Sequence, residues 1–445
     1  MNSSKKKKPF LTVSLALGLL CLGFFILQAQ VKVQGPTPKI SCNNNGNCEN
    51  GEYDGSVTSL NQLCPDCRPK TYPPLIIDEN SRQLVTRYSY SPSIVPQIYQ
   101  YKYLNGQYKD AWASSLANFP YGAACIGDVD GDGFKEIVGF VESVRKVTAG
   151  SGKNAATTSY YDYKIIVFGS PGVDSLPYYE SPFLGETTYR FLRDCLIADV
   201  DNDGKPELAF IRGSKVDIYQ WMGMGFVWKW STPFYGEGIF TIDSGDANSD
   251  GKNDLILAMN GPVVWTCDNG AWTSVNANPV TVYAKGQTML AMDYARTRDA
   301  DNDGKNEIVG GGNNNRLMVW KWDALTLGYK VVFVSGDLGG FTQGVDVGDL
   351  DGNGTKEIVI GSFSGPGKLY VFEFSGSTYF QRNFVTLDGG VVDLRTGDLD
   401  SDGRDEVTLI AKGLKIYDFN GTSLRSGSFS LAFAALFGDI GIEIR

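Results

Sequence analysis

The 445-residue chain contains no histidine. That removes the commonest general base and a common transition-metal ligand, and with them most hydrolase mechanisms and His-ligated zinc or iron chemistry. Lyases that work through Lys, Tyr or Arg are untouched by this absence. Nothing in the chain has the form of a nucleophile elbow, a P-loop or a zincin helix. Positive charge is also short, with 40 Lys and Arg against 50 Asp and Glu and a formal net charge of −10. The balance gives no support for nucleic-acid binding, and the expectation is a protein that is not an enzyme.

What the chain has in excess is one acidic nonapeptide, written six times: DVDGDGFKE from Asp128, DVDNDGKPE from Asp199, DANSDGKND from Asp246, DADNDGKNE from Asp299, DLDGNGTKE from Asp349 and DLDSDGRDE from Asp398. A hard cation such as Ca²⁺ takes six to eight oxygens, and a tight loop with Asp or Asn at positions 1, 3 and 5 converges three side chains on one point. Gly at position 6 permits the sharp turn, position 7 offers a backbone carbonyl, and the acid at position 9 closes the shell. The candidate ligands are therefore Asp128, Asp130, Asp132, Phe134 and Glu136 in loop 1, and Asp199, Asp201, Asp203, Lys205 and Glu207 in loop 2. Loop 3 supplies Asp246, Asn248, Asp250, Lys252 and Asp254, and loop 4 Asp299, Asp301, Asp303, Lys305 and Glu307. Loop 5 supplies Asp349, Asp351, Asn353, Thr355 and Glu357, and loop 6 Asp398, Asp400, Asp402, Arg404 and Glu406. Phe134, Lys205, Lys252, Lys305, Thr355 and Arg404 would contribute carbonyls only. Turn formation alone accounts for Asp and Gly but not for an acid returning at position 9.

An EF-hand would place its last acid at position 12 and run into a helix. Here position 12 of the first loop is Gly139, and the loops run into EIVGF, ELAFI, DLILA, EIVIG and EVTLI, which are strand-like. Spacing near 50 residues with several short strands per unit predicts a propeller. Each unit has a short strand entering the loop, a strand leaving it, and a hairpin with alternating aromatics such as IYQWMGMGFVWKW from Ile218 or VWKWDALTLGYKVVFV from Val319. Such regular aromatics are expected to pack between blades rather than to stack on sugars. A seventh hairpin, IYQYKYLNGQYKDAW from Ile98, precedes the first loop, and its partners are sought at the other end in ALFGDIGIEIR, 435–445. The expectation is an all-β, seven-bladed propeller over 94–445, closed by strands from both termini so that no sheet edge is left open.

These loops, with fragments such as Phe168-Gly169 and Phe437-Gly438, resemble the FG-GAP or VCBS repeats, the β-propeller repeats of integrin α chains and many microbial surface proteins. The resemblance covers about 94–445. It implies that each acidic loop joins the first and second strands of a blade and binds Ca²⁺, up to six ions in all.

Charge gives the same answer without the family. The six loops hold 24 side-chain ligands, of which Asn248 and Asn353 are uncharged, leaving 22 carboxylates whose crowding destabilises the fold unless cations neutralise them. Six Ca²⁺ would move the formal charge from −10 to +2. With free Ca²⁺ tenfold above each dissociation constant, binding adds about 1.4 kcal/mol per site and roughly 8 kcal/mol in all. The metals are accordingly read as structural clips rather than as a switch.

The amino terminus carries Lys5 to Lys8 and then an uncharged apolar run over 10–27. Its length lies between a signal-peptide core and a membrane span, and Leu27 at −3 disfavours cleavage after Ala29. Residues 1–31 are therefore expected to be a signal anchor, a single membrane helix with a cytoplasmic N-terminus and the propeller outside, with secretion as the alternative. Residues 32–93 form a separate segment with Cys42, Cys48, Cys64 and Cys67, expected as disulfides in one of three pairings, followed by a Pro-rich stalk. The segment resembles the short CxNGxCExGE and CPxDC modules of microbial secreted proteins. Cys125, Cys195 and Cys267 are expected to be buried thiols.

Three residues before the loop, Asp243, Arg296, Asp346 and Arg395 alternate in sign, which predicts salt bridges between blades. Two insertions depart from the repeat, a basic Gly/Ser-rich loop over 141–163 and NANPVTVYAKG at 276–286; long loops on a rigid ring are candidate recognition surfaces. The sequon at Asn420 falls in a hairpin turn open to glycosylation. Taken together, the expectation is extracellular recognition or adhesion of a protein or glycan partner, with a carbohydrate-binding lectin as the main alternative and a polysaccharide lyase as a third.

Overall fold

The computed structural model describes residues 123–431, apart from 151–155, 170–176, 189–191, 236–237, 277–291, 412–413, 422–423, 260, 313 and 364, together with strands at 83–88, 97–104, 107–113 and 442–444. All belong to the second of two compact units, Thr71–Arg445. The apolar run at 10–27, the four-cysteine segment, the Pro-rich residues 65–74, most of the 276–286 insertion and Asp439 lie outside the described residues. Among the described residues no helix is long and apolar enough to cross a membrane.

The described fold is all β, built from four-stranded antiparallel sheets in which each strand pairs with the next. Strands β1 (Gln83–Tyr88), β2 (Gln97–Leu104) and β3 (Gln107–Ala113) form one sheet with β28 (Ile442–Ile444), which pairs with β1 through Leu84 and Ile444. Six further sheets each contain one acidic loop. They are β4 (Ala124–Gly127), β5 (Glu136–Ala149), β6 (Ala156–Phe168) and β7 (Tyr179–Glu180); then β8 (Cys195–Ala198), β9 (Glu207–Ile211), β10 (Val216–Trp221) and β11 (Phe226–Ser231). The third comprises β12 (Ile242–Gly245), β13 (Asp254–Met259), β14 (Gly261–Asp268) and β15 (Ala271–Asn276), and the fourth β16 (Tyr294–Arg298), β17 (Glu307–Gly311), β18 (Leu317–Asp323) and β19 (Gly328–Val334). The fifth comprises β20 (Thr342–Gly348), β21 (Glu357–Ser362), β22 (Lys368–Phe374) and β23 (Tyr379–Thr386), and the sixth β24 (Asp393–Gly397), β25 (Glu406–Ile410), β26 (Leu414–Phe419) and β27 (Leu424–Leu431). The first strands pack in series, β4 on β8, β8 on β12 and so on to β24 on β28 and β28 on β4, which returns the series to its start.

Two findings alter the expected boundaries. Residues 83–88, assigned from sequence to the stalk, are strand β1 in the terminal sheet. The 141–163 insertion, expected as a loop, is mostly a long hairpin: β5 and β6 stay paired from Ile137 and Phe168 out to Ala149 and Ala156. Its valines and tyrosines, Val144, Val147, Tyr160, Tyr161 and Tyr163, favour a strand, and Arg145 ties it to Glu186 at 2.6 Å.

The strand after each loop reads as an unbroken apolar run because both of its faces are buried between neighbouring sheets. In β9, Leu208 and Phe210 pack towards the first sheet with Phe140 and Ile165, while Ala209 and Ile211 pack towards the third with Leu255 and Leu257. The same division recurs at the next three junctions. Aromatic rings fill several junctions: Phe140 and Phe210 meet at 4.8 Å between second strands, and farther out Trp230 stacks on Trp272 at 4.4 Å and Phe333 meets Tyr379 at 5.3 Å between fourth strands. The outermost strands are less covered and expose Trp228, Phe380 and Phe384. Cys125, Cys195 and Cys267 are buried, the first two in one apolar cluster.

The four alternating charges do not bridge one another around the ring, but salt bridges between sheets do form through Arg298, which lies 3.1 Å from Asp243 and 4.0 Å from Asp346. Asp243 also accepts from the Thr297 amide at 2.6 Å, and Asp346 from the Thr396 amide at 3.0 Å. Arg395 pairs within its own strand, with Asp393 at 2.7 Å. The carboxylates staple backbone across sheet junctions, because an amide of the neighbouring first strand is nearer than any side chain of opposite sign. They line a cavity of about 360 Å³ together with Arg296 and Asp194.

Phe210 is fully buried against Phe140, so Phe210→Ala is expected to cost about 3 to 5 kcal/mol in equilibrium urea unfolding. A loss below about 1 kcal/mol would show that the junction between the first two sheets is not the packed core described.

Candidate metal centres

All six acidic nonapeptides are the turn between the first and second strands of a sheet, and their internal bonding repeats. The position-1 Asp accepts the amide of the position-6 Gly, at 2.9 Å in loops 1, 2 and 3 and at 3.1, 2.8 and 3.2 Å in loops 4, 5 and 6. The side chains at positions 1 and 3 both accept the position-5 amide, as Asp203 donates to Asp199 at 3.1 Å and to Asp201 at 3.3 Å. The position-5 oxygen accepts the position-7 amide, as Asp132 does from Phe134 at 2.8 Å. The position-9 acid reaches back to the position-2 amide in every loop, between 2.7 Å for Glu406 and 3.1 Å for Glu207 and Asp254. Backbone amides thus orient the carboxylates towards one centre, and the position-6 glycines hold φ between 84° and 90°, a region that side chains disfavour.

Sequence reasoning missed position 4. It too is left-handed, at Gly131, Asn202, Ser249, Asn302, Gly352 and Ser401, and the signal was present in its restriction to Gly, Asn and Ser. Positions 4 and 8 also clasp neighbouring loops. Asn202 and the backbone of Asn253 exchange bonds at 2.8 and 3.0 Å, Asn302 accepts the Lys356 amide at 2.8 Å, Asn306 donates to the Asp246 carbonyl at 3.1 Å, and Asp405 accepts the Asp349 amide at 3.0 Å.

Ligand oxygens converge within 4.8 Å of one another in five loops: Asp128, Asp130 and Glu136; Asp199, Asp201 and Asp203; Asp299, Asp301 and Asp303; Asp349, Asp351 and Glu357; Asp398, Asp400 and Glu406. Loop 3, with Asn248 in place of an acid, offers another sign: Asp254 is 1 % exposed and its Oδ1 has no hydrogen-bond partner. A buried oxygen with no donor is costly, and a hard cation at the loop centre would satisfy it. The all-oxygen donor set suits Ca²⁺ and not softer metals. Such an ion would neutralise the loop and fix its turn.

Burial, reinforced by nearby carboxylates, raises the position-9 acids: Glu136 and Glu406 to about 8, and Glu207, Asp254 and Glu357 to about 7. Glu307 is raised as well, again chiefly by burial.

Three loops also hold a side-chain cation that the sequence reading did not assign to them. Lys229 contacts Asp201, lies 3.1 Å from Asp203 and 3.2 Å from Glu207, and Gln220 donates to the same two acids at 3.0 and 3.1 Å. Lys321 lies 2.5, 2.7 and 3.0 Å from Asp301, Asp303 and Glu307. Arg382 lies 3.0 Å from Asp351, 3.1 Å from Glu357 and 3.2 Å from Glu373. Burial opposes the ammonium of Lys229 and Lys321, but the acids outweigh it and raise both above the usual lysine value.

Residues 199–257 and 349–409 match the FG-GAP-like repeat family, so the chain carries FG-GAP-like repeats. No curated protein sequence matches the chain. Among solved structures it is similar to a candidate 6-phosphogluconolactonase from Bacteroides uniformis, 10% identical with a TM-score of 0.52, over 81% of this chain and 99% of that one. Another from Bacteroides fragilis is 9% identical with a TM-score of 0.47, over 80% and 96%, and Sqt1 from Saccharomyces cerevisiae is 11% identical with a TM-score of 0.44, over 70% and 85%. The first likeness concerns the fold alone.

The raised carboxyls set a pH dependence for the metal-free protein. Between the ordinary value of 4.5 and about 8, the native state binds more protons than the unfolded chain, so stability falls as pH rises through this window. The melting temperature in chelator should therefore drop from pH 5 to pH 8, while in saturating Ca²⁺ it should stay nearly level. A chelated protein that melts higher at pH 8 than at pH 5 would contradict the placement of these acids.

Proposed function

We propose that this chain is a seven-bladed, calcium-clipped β-propeller displayed outside the cell, where it acts as a recognition or adhesion protein and not as an enzyme. The observation that carries the metal reading is the sixfold repetition of one oxygen-lined turn, with a buried acid at position 9 of every copy. Seven blades are supported by the serial packing of first strands from β4 to β28 and back to β4 and by the sheet that joins β1 to β28. The terminal sheet hides the edges that an open array would present.

A recognition role follows from where the chain departs from its repeat. The β5–β6 hairpin extends well past its sheet and exposes Val144 and Val147 beside Arg145 and Lys146, and such extensions on a rigid frame are where binding usually resides. The four lysines and apolar run at the amino terminus support display outside the membrane. The lack of histidine supports a role without catalysis. A glycan partner is the second reading, favoured by the exposed rings of Trp228, Phe380 and Phe384 on outermost strands; aromatic faces of this kind stack on sugars.

Trypsin added to intact cells tests the display. The chain should be cut from outside after treatment with chelator and resist cutting in millimolar Ca²⁺; cutting only after lysis would rule out an external propeller. Beads coated with the full chain separate the two partner classes. Adhesion to cells that is lost on trimming residues 143–161 supports the hairpin surface, whereas adhesion abolished by Trp228→Ala and by free sugars supports the glycan reading.

A further inference from the structure

The six turns carry nearly the same acids but different surroundings. Antiparallel register sets one third-strand residue beside each position-9 acid. Gln220 pairs directly with Glu207, and the pairs Ile137–Phe168, Leu255–Trp265, Ile308–Trp320, Ile358–Phe372 and Val407–Tyr417 set Gly169, Thr266, Lys321, Glu373 and Asp418 beside the other five. The position is neutral in loops 1, 2 and 3, cationic in loop 4 and acidic in loops 5 and 6. Fourth-strand residues then add Lys229 to loop 2 and Arg382 to loop 5. Loops 2, 4 and 5 therefore each hold one tethered cation against the position-3 and position-9 oxygens. Among the described side chains no ion pair of this kind reaches the position-3 and position-9 acids of loops 1, 3 and 6; the position-7 cations of loops 3 and 6 lie at the rim, Lys252 on Asp268 and Arg404 on Asp402. Loop 3 also keeps the buried, unpartnered Asp254 Oδ1.

A Ca²⁺ ion bound at 2.3 to 2.6 Å from these oxygens and an ammonium or guanidinium in contact with the same ones compete for a single place. Resting on the reading of the turns as calcium sites, we propose that Lys229, Lys321 and Arg382 are built-in counter-ions that keep loops 2, 4 and 5 closed without metal, so that Ca²⁺ is taken by loops 1, 3 and 6. The tethered cation stays at high local concentration and does not wash out. Calcium dependence then concentrates at the third sheet and at the sixth and first. The last two flank the sheet that joins the chain ends, since β28 packs on β24 and β4. Withdrawal of calcium would loosen the ring beside its closure while the second, fourth and fifth sheets keep their turns.

The test is hydrogen exchange on the full chain in Ca²⁺ and in chelator, paired with calorimetric titration using Ca²⁺ alone. Peptides over 128–136, 246–254 and 398–406 should lose protection in chelator, those over 199–207, 299–307 and 349–357 should not, and about three equivalents should bind. Lys321→Met should move 299–307 into the calcium-dependent group and raise the stoichiometry by about one, and Lys321→Arg should do neither. If Lys321→Met does not fold, Thr266→Lys in loop 3 gives the reciprocal outcome, a loss of about one equivalent. Six equivalents with all six turns responding alike would overturn the proposal and leave the calcium reading standing. No bound Ca²⁺ and no response in any turn would overturn both.

Discussion

The structure depends on what meets the negative charge at the turn between first and second strands. Each turn gathers three or four carboxylates into a few ångströms, with one acid buried where its strand begins. Backbone amides at positions 2, 5, 6 and 7 absorb part of that charge, but an amide carries only a partial positive charge and the carboxylates still repel one another. A cation at the centre resolves the conflict. Without one, the position-9 acids keep their protons towards neutral pH, as their raised pKa values show.

The turns are not independent. Asn202 and Asn253 join loops 2 and 3, Asn306 joins loop 4 to loop 3, Asn302 and Lys356 join loops 4 and 5, and Asp405 joins loop 6 to loop 5. Beneath this belt, strands such as β9 and β13 are buried on both faces, so a shift of one sheet is felt in the packing of two junctions. Carboxylates on the first strands add staples to neighbouring backbone, as Asp243 does to Thr297. A mobile turn would disturb all three layers of contact, which is why the electrostatics of nine residues matter to a sheet of four strands.

Much of this was legible in the sequence because repetition multiplies a weak local signal. The acidic turns, the strands on either side of them and the aromatic hairpins were read from spacing and alternation; of the two partner strands sought in 435–445 for the terminal hairpin, one is β28 and the other is β1 at 83–88. What escaped reading depends on register and on neighbours. Lys229 and Lys321 occur in the same tetrapeptide, VWKW, yet one lies on a fourth strand and the other on a third, and nothing local says that both ammonium groups enter an acidic turn. The alternation of Asp243, Arg296, Asp346 and Arg395 suggested salt bridges because side-chain signs are visible in a sequence and the backbone amides that donate to the carboxylates are not. The 141–163 insertion was read as a loop from its Gly and Ser content, whereas its β-branched and tyrosine flanks pair as a hairpin with only the tip left over.

The most direct test of the central claim is a crystal structure of the chain grown in Ca²⁺ with anomalous diffraction data. The account predicts anomalous peaks enclosed by the oxygens of positions 1, 3, 5 and 9 and the carbonyl of position 7 in the turns at Asp128, Asp246 and Asp398, with Lys229, Lys321 and Arg382 still seated in the other three. Turns that hold only water, with their acids swung outward to solvent, would contradict it.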